Sequence, residues 1–266
     1  MAYIPHTAEQ KDRMLRSLGL ERIEQLFEEQ IPASLLLNRP LDIAPAMSEL
    51  ELRRHFQSLA AQNRPAGDQA CFLGAGIYDH YVPSVVPTII LRGEFHTAYT
   101  PYQPEMSQGT LQSIFEFQTM ISALAGVEVA NASMYDGATA FAEAVILAAG
   151  VTNRDEALLV GVHPAWVQVT RTYVEGLGIR VTEVPLPDGV GDRAWLQEKL
   201  SEQTAVIGVQ QPNFLGSVED LQGLADLAHG AGALLVVGAN PVALGLLEAP
   251  GHQGADVVVV EGQPLG

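Results

Sequence analysis

The sequence predicts an α/β fold built on a largely parallel sheet and preceded by a helical arm. Five short apolar runs carry the first part of that prediction: Ala157–Val162, Ile179–Val184, Ala205–Val209, Leu234–Val237 and Val257–Val260. They are rich in Val, Leu and Ile and have the length of strands buried on both faces. Helical stretches near 165–176, 192–201 and 218–230 fall between them. Strands alternating with helices close a parallel sheet under flanking helices. Residues 8–63 lack this rhythm and show helical spacing alone.

In the arm, Met14, Leu15 and Leu18, then Ile23, Leu26 and Phe27, recur at helical intervals. Ser48 with Glu51 three positions on is a capping-box pattern, in which side-chain oxygens satisfy exposed N–H groups of the first turn. Asn63-Arg64-Pro65-Ala66-Gly67 ends this region. The arm carries too little apolar material for a core of its own, so it is expected to pack on another surface. The expected division is an arm over 1–63 and an α/β domain over 64–266.

Pro101 and Pro104 fix φ and push Thr100 and Gln103 toward extended backbone. A stiff, non-helical segment therefore presents Tyr99, Tyr102, Gln103 and Glu105. Ser107 or Gln108 then starts a helix with apolar residues at Leu111, Ile114, Phe117, Ile121 and Leu124. Polar and aromatic groups on a rigid loop ahead of a helix can form part of a site, or the segment is a connector with packed tyrosines. Further on, Asp136-Gly137-Ala138-Thr139 opens an Ala-rich helix, Ala138 to Ala149. Asp192 with Trp195, and Ser217 with Asp220, are expected caps.

Composition narrows the function classes. With 47% hydrophobic residues the 266-residue chain is globular, and no apolar run approaches the roughly 20 residues of a membrane helix. The formal charge of −17 argues against nucleic acid or an anionic membrane as partner. The N-terminus shows no secretory pattern, and the single Cys71 fits a reducing cytoplasm. Cys71 itself reads as a small hydrophobe, since no nucleophile motif surrounds it. Gly74-Ala75-Gly76 followed by Asp79 lacks the third glycine of a dinucleotide fingerprint and sits outside the strand–helix repeat. It reads instead as a turn that lets Tyr78, Asp79 and His80 approach another segment. The helix start at Asp136 is either a cap or an anion site, and a carboxylate there opposes an anion.

The run Tyr99-Thr100-Pro101-Tyr102-Gln103-Pro104-Glu105-Met106-Ser107-Gln108-Gly109 closely resembles a segment of the glycine-cleavage P-protein family, the pyridoxal-phosphate-dependent glycine decarboxylases. Gly74-Ala75-Gly76-Ile77-Tyr78-Asp79-His80-Tyr81-Val82-Pro83 and Ala130-Asn131-Ala132-Ser133 resemble two further segments, in the same order. The similarity runs from about Tyr3 to the last residue and points to the amino-terminal, alpha half of the bacterial two-subunit form. Such subunits continue past this point, so the chain is expected to be a fragment.

This resemblance implies the large domain of the fold type I pyridoxal-phosphate transferases, incomplete at its C-terminal end. It implies an enzyme of the glycine dehydrogenase (aminomethyl-transferring) type. That enzyme decarboxylates glycine and passes the aminomethyl group to the lipoyl arm of H protein. Such folds need a Schiff-base lysine and a carboxylate facing the pyridine nitrogen. Here Leu234–Val237 leads to Gly238-Ala239-Asn240, and Val257–Val260 to Glu261-Gly262-Gln263-Pro264. The chain has two lysines, Lys11 and Lys199, neither placed for the role. The family pattern thus implies that the cofactor sits on a complementary beta subunit, in an α2β2 heterotetramer. This chain would be the silent half, with Asp136, Gly137 and Thr139 a vestige of the phosphate turn. Tyr99, Tyr102 and Glu105 are the expected site residues, with Thr100, Gln103, Ser107 and Gln108 supporting, then Tyr78, Asp79 and His80. His163-Pro164-Ala165-Trp166 could place an imidazole on a cofactor ring, but with no cofactor lysine it reads as structural. The alternative is a scaffold subunit with no part in the site.

Overall fold

The computed structural model describes residues 5–37, 39–76, 78–96 and 100–266. It divides into two compact units, Met1–Ala70 and Cys71–Gly266. The first holds α1 (Ala8–Ser17), α2 (Glu24–Glu28) and α3 (Glu49–Ala60). Capping boxes at Thr7 with Gln10 and at Ser48 with Glu51 start α1 and α3. The Ser48 hydroxyl and backbone N–H both donate to Glu51 and hold its carboxyl below the usual range. None of these three helices contributes a buried residue. Leu18, Phe27, Leu50 and Phe56 all stand exposed.

The second unit begins with α4 (Val85–Ile90), α5 (Gly93–His96) and α6 (Gln108–Ala125). Helix α6 starts where the proline-rich segment ends and stops at Gly126, whose φ of +72° closes it in a left-handed cap. Then α7 (Gly137–Thr152) leads into the strand–helix repeat. It runs β1 (Glu156–Val160), α8 (Pro164–Glu175), β2 (Arg180–Glu183), α9 (Arg193–Lys199), β3 (Thr204–Gln211), α10 (Leu221–Gly230), β4 (Leu234–Ala239) and β5 (Val257–Val260).

The five strands form one sheet in the order β2-β1-β3-β4-β5, and every pairing is parallel. Both faces are covered, as all-parallel sheets require. On one face Phe141, Val145 and Ala148 of α7 and Val167 and Val174 of α8 pack over Ala157, Leu159 and Val236. On the other, Leu196 of α9 and Leu221, Leu224 and Ala228 of α10 pack over Leu158, Val160, Ile207 and Leu235. Adjacent Leu158 and Leu159 thus point to opposite cores, the period-two signature of a strand.

One expected cap is corrected. Asp192 caps α9, accepting from Trp195 N–H, but Ser217 caps nothing. Helix α10 is capped by Asp220, which accepts from Gly223 N–H at 3.0 Å. Residues 217–219 are held outside the helix: the Ser217 N–H donates to Asn213 Oδ1 and the Glu219 N–H to Gln211 Oε1.

Candidate functional site

In the strand order seen here the direction of winding reverses between β1 and β3. Open α/β sheets bind ligands in the crevice outside the carboxyl ends of the strands at such a point. At that place residues following β1 and β3 meet one another. Gly161 follows β1 with φ of +56°, and its carbonyl accepts from the Phe214 N–H at 2.7 Å. A methyl group on Gly161 would come 2.6 Å from Asn213 Cβ. The Asn213 amide donates to Gly189 O at 2.8 Å and to Glu219 Oε1 at 2.6 Å. The buried Glu219 carboxylate also accepts from Gly191 N–H at 3.1 Å. Among the described residues, the hydrogen bonds to its side chain come from N–H donors.

Beside this junction stands His163, between β1 and α8. Its Nδ1 accepts from Ala165 N–H at 3.1 Å and caps α8, with Pro164 at the first helical position. Its Nε2 lies 3.0 Å from Ala75 O, which brings the Gly74–Gly76 turn to the C-terminal edge of the sheet. Tyr78, Asp79 and His80 follow that turn with exposed side chains.

At the neighbouring end of β4 and β5, α7 begins. Asp136 caps it, accepting from Thr139 N–H at 2.7 Å, while Asp136 N–H donates to Thr139 Oγ1 at 3.3 Å. Gly137 is buried, and a methyl group there would meet Trp166 Cη2 at 2.6 Å and Glu261 Oε2 at 2.7 Å. Two carboxylates and an indole therefore occupy the surroundings of this helix start. The strand ends add little: Asn240 after β4 spends its Oδ1 on Val242 N–H at 2.9 Å.

The proline-rich segment is exposed throughout Tyr102–Met106, and Tyr102 is 81% exposed. Backbone bonds from Tyr102 N–H to Thr100 O and from Ser107 N–H to Gln103 O fix its path. Ser107 is half-buried at the start of α6, and Gln108 is exposed. Tyr99 lies outside the described residues. Sequence spacing gives no signal for Asn213 or Glu219, and it reads His163, at a His-Pro helix start, as structural.

The sequence profile of the glycine cleavage system P-protein matches residues 1–266. The chain belongs to the glycine cleavage system P-protein family. Within that family it is 52% identical over its whole length to a protein of Desulforamulus reducens named probable glycine dehydrogenase (decarboxylating) subunit 1. It is 50% identical to the protein of the same name from Carboxydothermus hydrogenoformans. The chain spans 60% of the length of each of these relatives. A crystal structure of glycine decarboxylase (P-protein) in inhibitor-bound form superposes with a TM-score of 0.90 at 48% identity. That match covers all of this chain and 59% of the solved one.

The P-protein family is pyridoxal-phosphate dependent, yet the residues at this sheet edge do not fit that group. The α7 start that would receive a phosphate already holds Asp136 on the Thr139 N–H and Glu261 against Gly137. A dianion beside two carboxylates is repelled. The lysine of the α/β unit, Lys199, ends α9 five residues before β3 begins, at the opposite edge, with its Nζ over the Trp195 ring at 5.8 Å.

Proposed function

We propose that this chain is the silent half of a glycine decarboxylase. In this reading it completes an active site whose pyridoxal phosphate and lysine belong to a complementary subunit. The assembled enzyme decarboxylates glycine in the cytoplasm and hands the aminomethyl group to the lipoyl group of H protein. The observation that carries the reading is the 52% identity, along the whole chain, to a protein named subunit 1 of that enzyme. The exposed polar run Tyr102–Glu105 supports it, because such side chains on a rigid segment suit contact with a second surface.

In that assembly Tyr99, Tyr102 and Glu105 line the substrate side. Thr100, Gln103, Ser107 and Gln108 orient them, and Tyr78, Asp79 and His80 flank them. Their work is to hold the glycine carboxylate and keep water out. Glu105 faces a carboxylate substrate only if protonated or paired with a cation.

The test has two arms. The purified chain is incubated with pyridoxal phosphate, reduced with borohydride and weighed; no stoichiometric adduct is expected, and specific labelling of Lys199 or Lys11 overturns the silent-half reading. The complementary subunit is then added and exchange of CO2 with the glycine carboxylate is measured. Exchange should require both chains.

A further inference from the structure

We infer that His163 is a positioning residue that latches the Gly74–Gly76 turn to the C-terminal edge of the sheet and so sets where Tyr78, Asp79 and His80 are presented. The inference deepens the reading above and, for its effect on turnover, rests on it.

The turn is unusual. Gly74, Ala75 and Gly76 take φ of +64°, +55° and +88°, three left-handed residues in succession. Glycine adopts that region freely, but alanine does not, so Ala75 is held there by something outside its own backbone preference. The Ala75 carbonyl meets His163 Nε2 across 88 positions of sequence. Around the turn the chain is exposed, with Phe72 94% and Tyr81 87% accessible, so packing does little to hold it.

The imidazole, in contrast, is fixed from several directions. Its Nδ1 is the acceptor for Ala165 N–H, which places the ring proton on Nε2 and makes it the donor to Ala75 O. The His163 N–H donates to Gln210 Oε1 at 2.8 Å, and the ring meets Phe214 edge-on at 4.9 Å between centroids. Gln210 is itself tied to Pro212 O. A methyl on Gly76 would touch the ring at 3.7 Å, so the turn lies against the imidazole as well as bonding to it. Both ring nitrogens are engaged, which leaves no free lone pair for proton transfer. The residue therefore acts through the turn.

His163→Asn separates latch from cap. Asparagine still caps a helix well but is too short to reach Ala75. In the full chain, the thermal midpoint should move by less than about 3 °C. Amide order parameters at residues 74–76 should fall from about 0.85 to below about 0.6. In the complex with the complementary subunit, kcat for glycine exchange should drop roughly tenfold with KM nearly unchanged. Unchanged order parameters overturn the latch, and loss of order with unchanged kcat overturns its positioning role. If the wild-type complex shows no exchange, the proposed function fails, and the order parameters alone judge the latch. Should the variant not fold, imidazole 15N shifts of the wild-type chain decide, since a proton on Nδ1 contradicts the assignment.

Discussion

Asp220 shows how much a single cap can do for this fold and how it depends on pH. The Gly223 N–H it accepts is the main cause holding its carboxyl below the usual range; partial burial opposes this, and the Arg193 guanidinium at 2.8 Å adds to it. A carboxyl with a lowered folded pKa stabilises above the unfolded value of about 3.9, and that contribution is lost as pH falls through the folded one. Asp220→Asn keeps the cap and abolishes the titration. Its unfolding free energy should therefore fall less steeply than that of the wild type below about pH 4, as urea titrations across that range would show. Tyr102 carries the second residue-scale prediction. Tyr102→Phe should lower partner-dependent glycine exchange roughly tenfold if its hydroxyl helps orient substrate, while a scaffold role leaves turnover unchanged. Caps such as Ser48, Asp136 and Asp192 were legible in the sequence because they act within four residues. Ser217 misled for the opposite reason. Asn213 and Gln211, brought near by a loop closure, take the N–H groups of 217 and 219 first.

Among the elements, the strands were the most legible, since Val- and Leu-rich runs bounded by turns leave few alternatives. Observed β3 extends to Gln211, beyond the expected Val209, because its final residues pair with Gly238 and Ala239 rather than bury apolar side chains. The loop joining β3 to α10 was not legible. Its shape depends on Glu219, whose carboxylate joins Asn213 to Gly191, 28 positions earlier. Glu219→Ala leaves one N–H of the buried Asn213 amide and the Gly191 N–H without this acceptor, and should cost about 2–3 kcal/mol in chemical denaturation. Glu219→Gln keeps one acceptor and should cost roughly half as much. Equal losses for the two variants would mean that the carboxylate's hydrogen bonds are not what closes the loop.

Across the whole molecule, burial is uneven. The large fully buried side chains lie between Phe141 and Leu235, whereas among the described residues α1 to α4 bury none and α6 buries only Ala125. Segments with few buried apolar contacts open at low free energy. Limited proteolysis of the chain alone should therefore cut before Ala125 well ahead of the sheet. The complementary subunit should slow those early cuts; cleavage within 141–235 at a comparable rate would contradict this ordering. Periodicity located α1 to α3 and α6 in the sequence, but it could not show that their apolar residues would remain uncovered.

Among the described residues β5, Val257-Val258-Val259-Val260, is an edge strand. Edge strands offer unpaired N–H and C=O groups, and natural proteins blunt them with charge, proline or a bulge. Four successive valines do none of these things. In a concentrated solution of this chain, that valine edge is where strand-to-strand association is expected to begin.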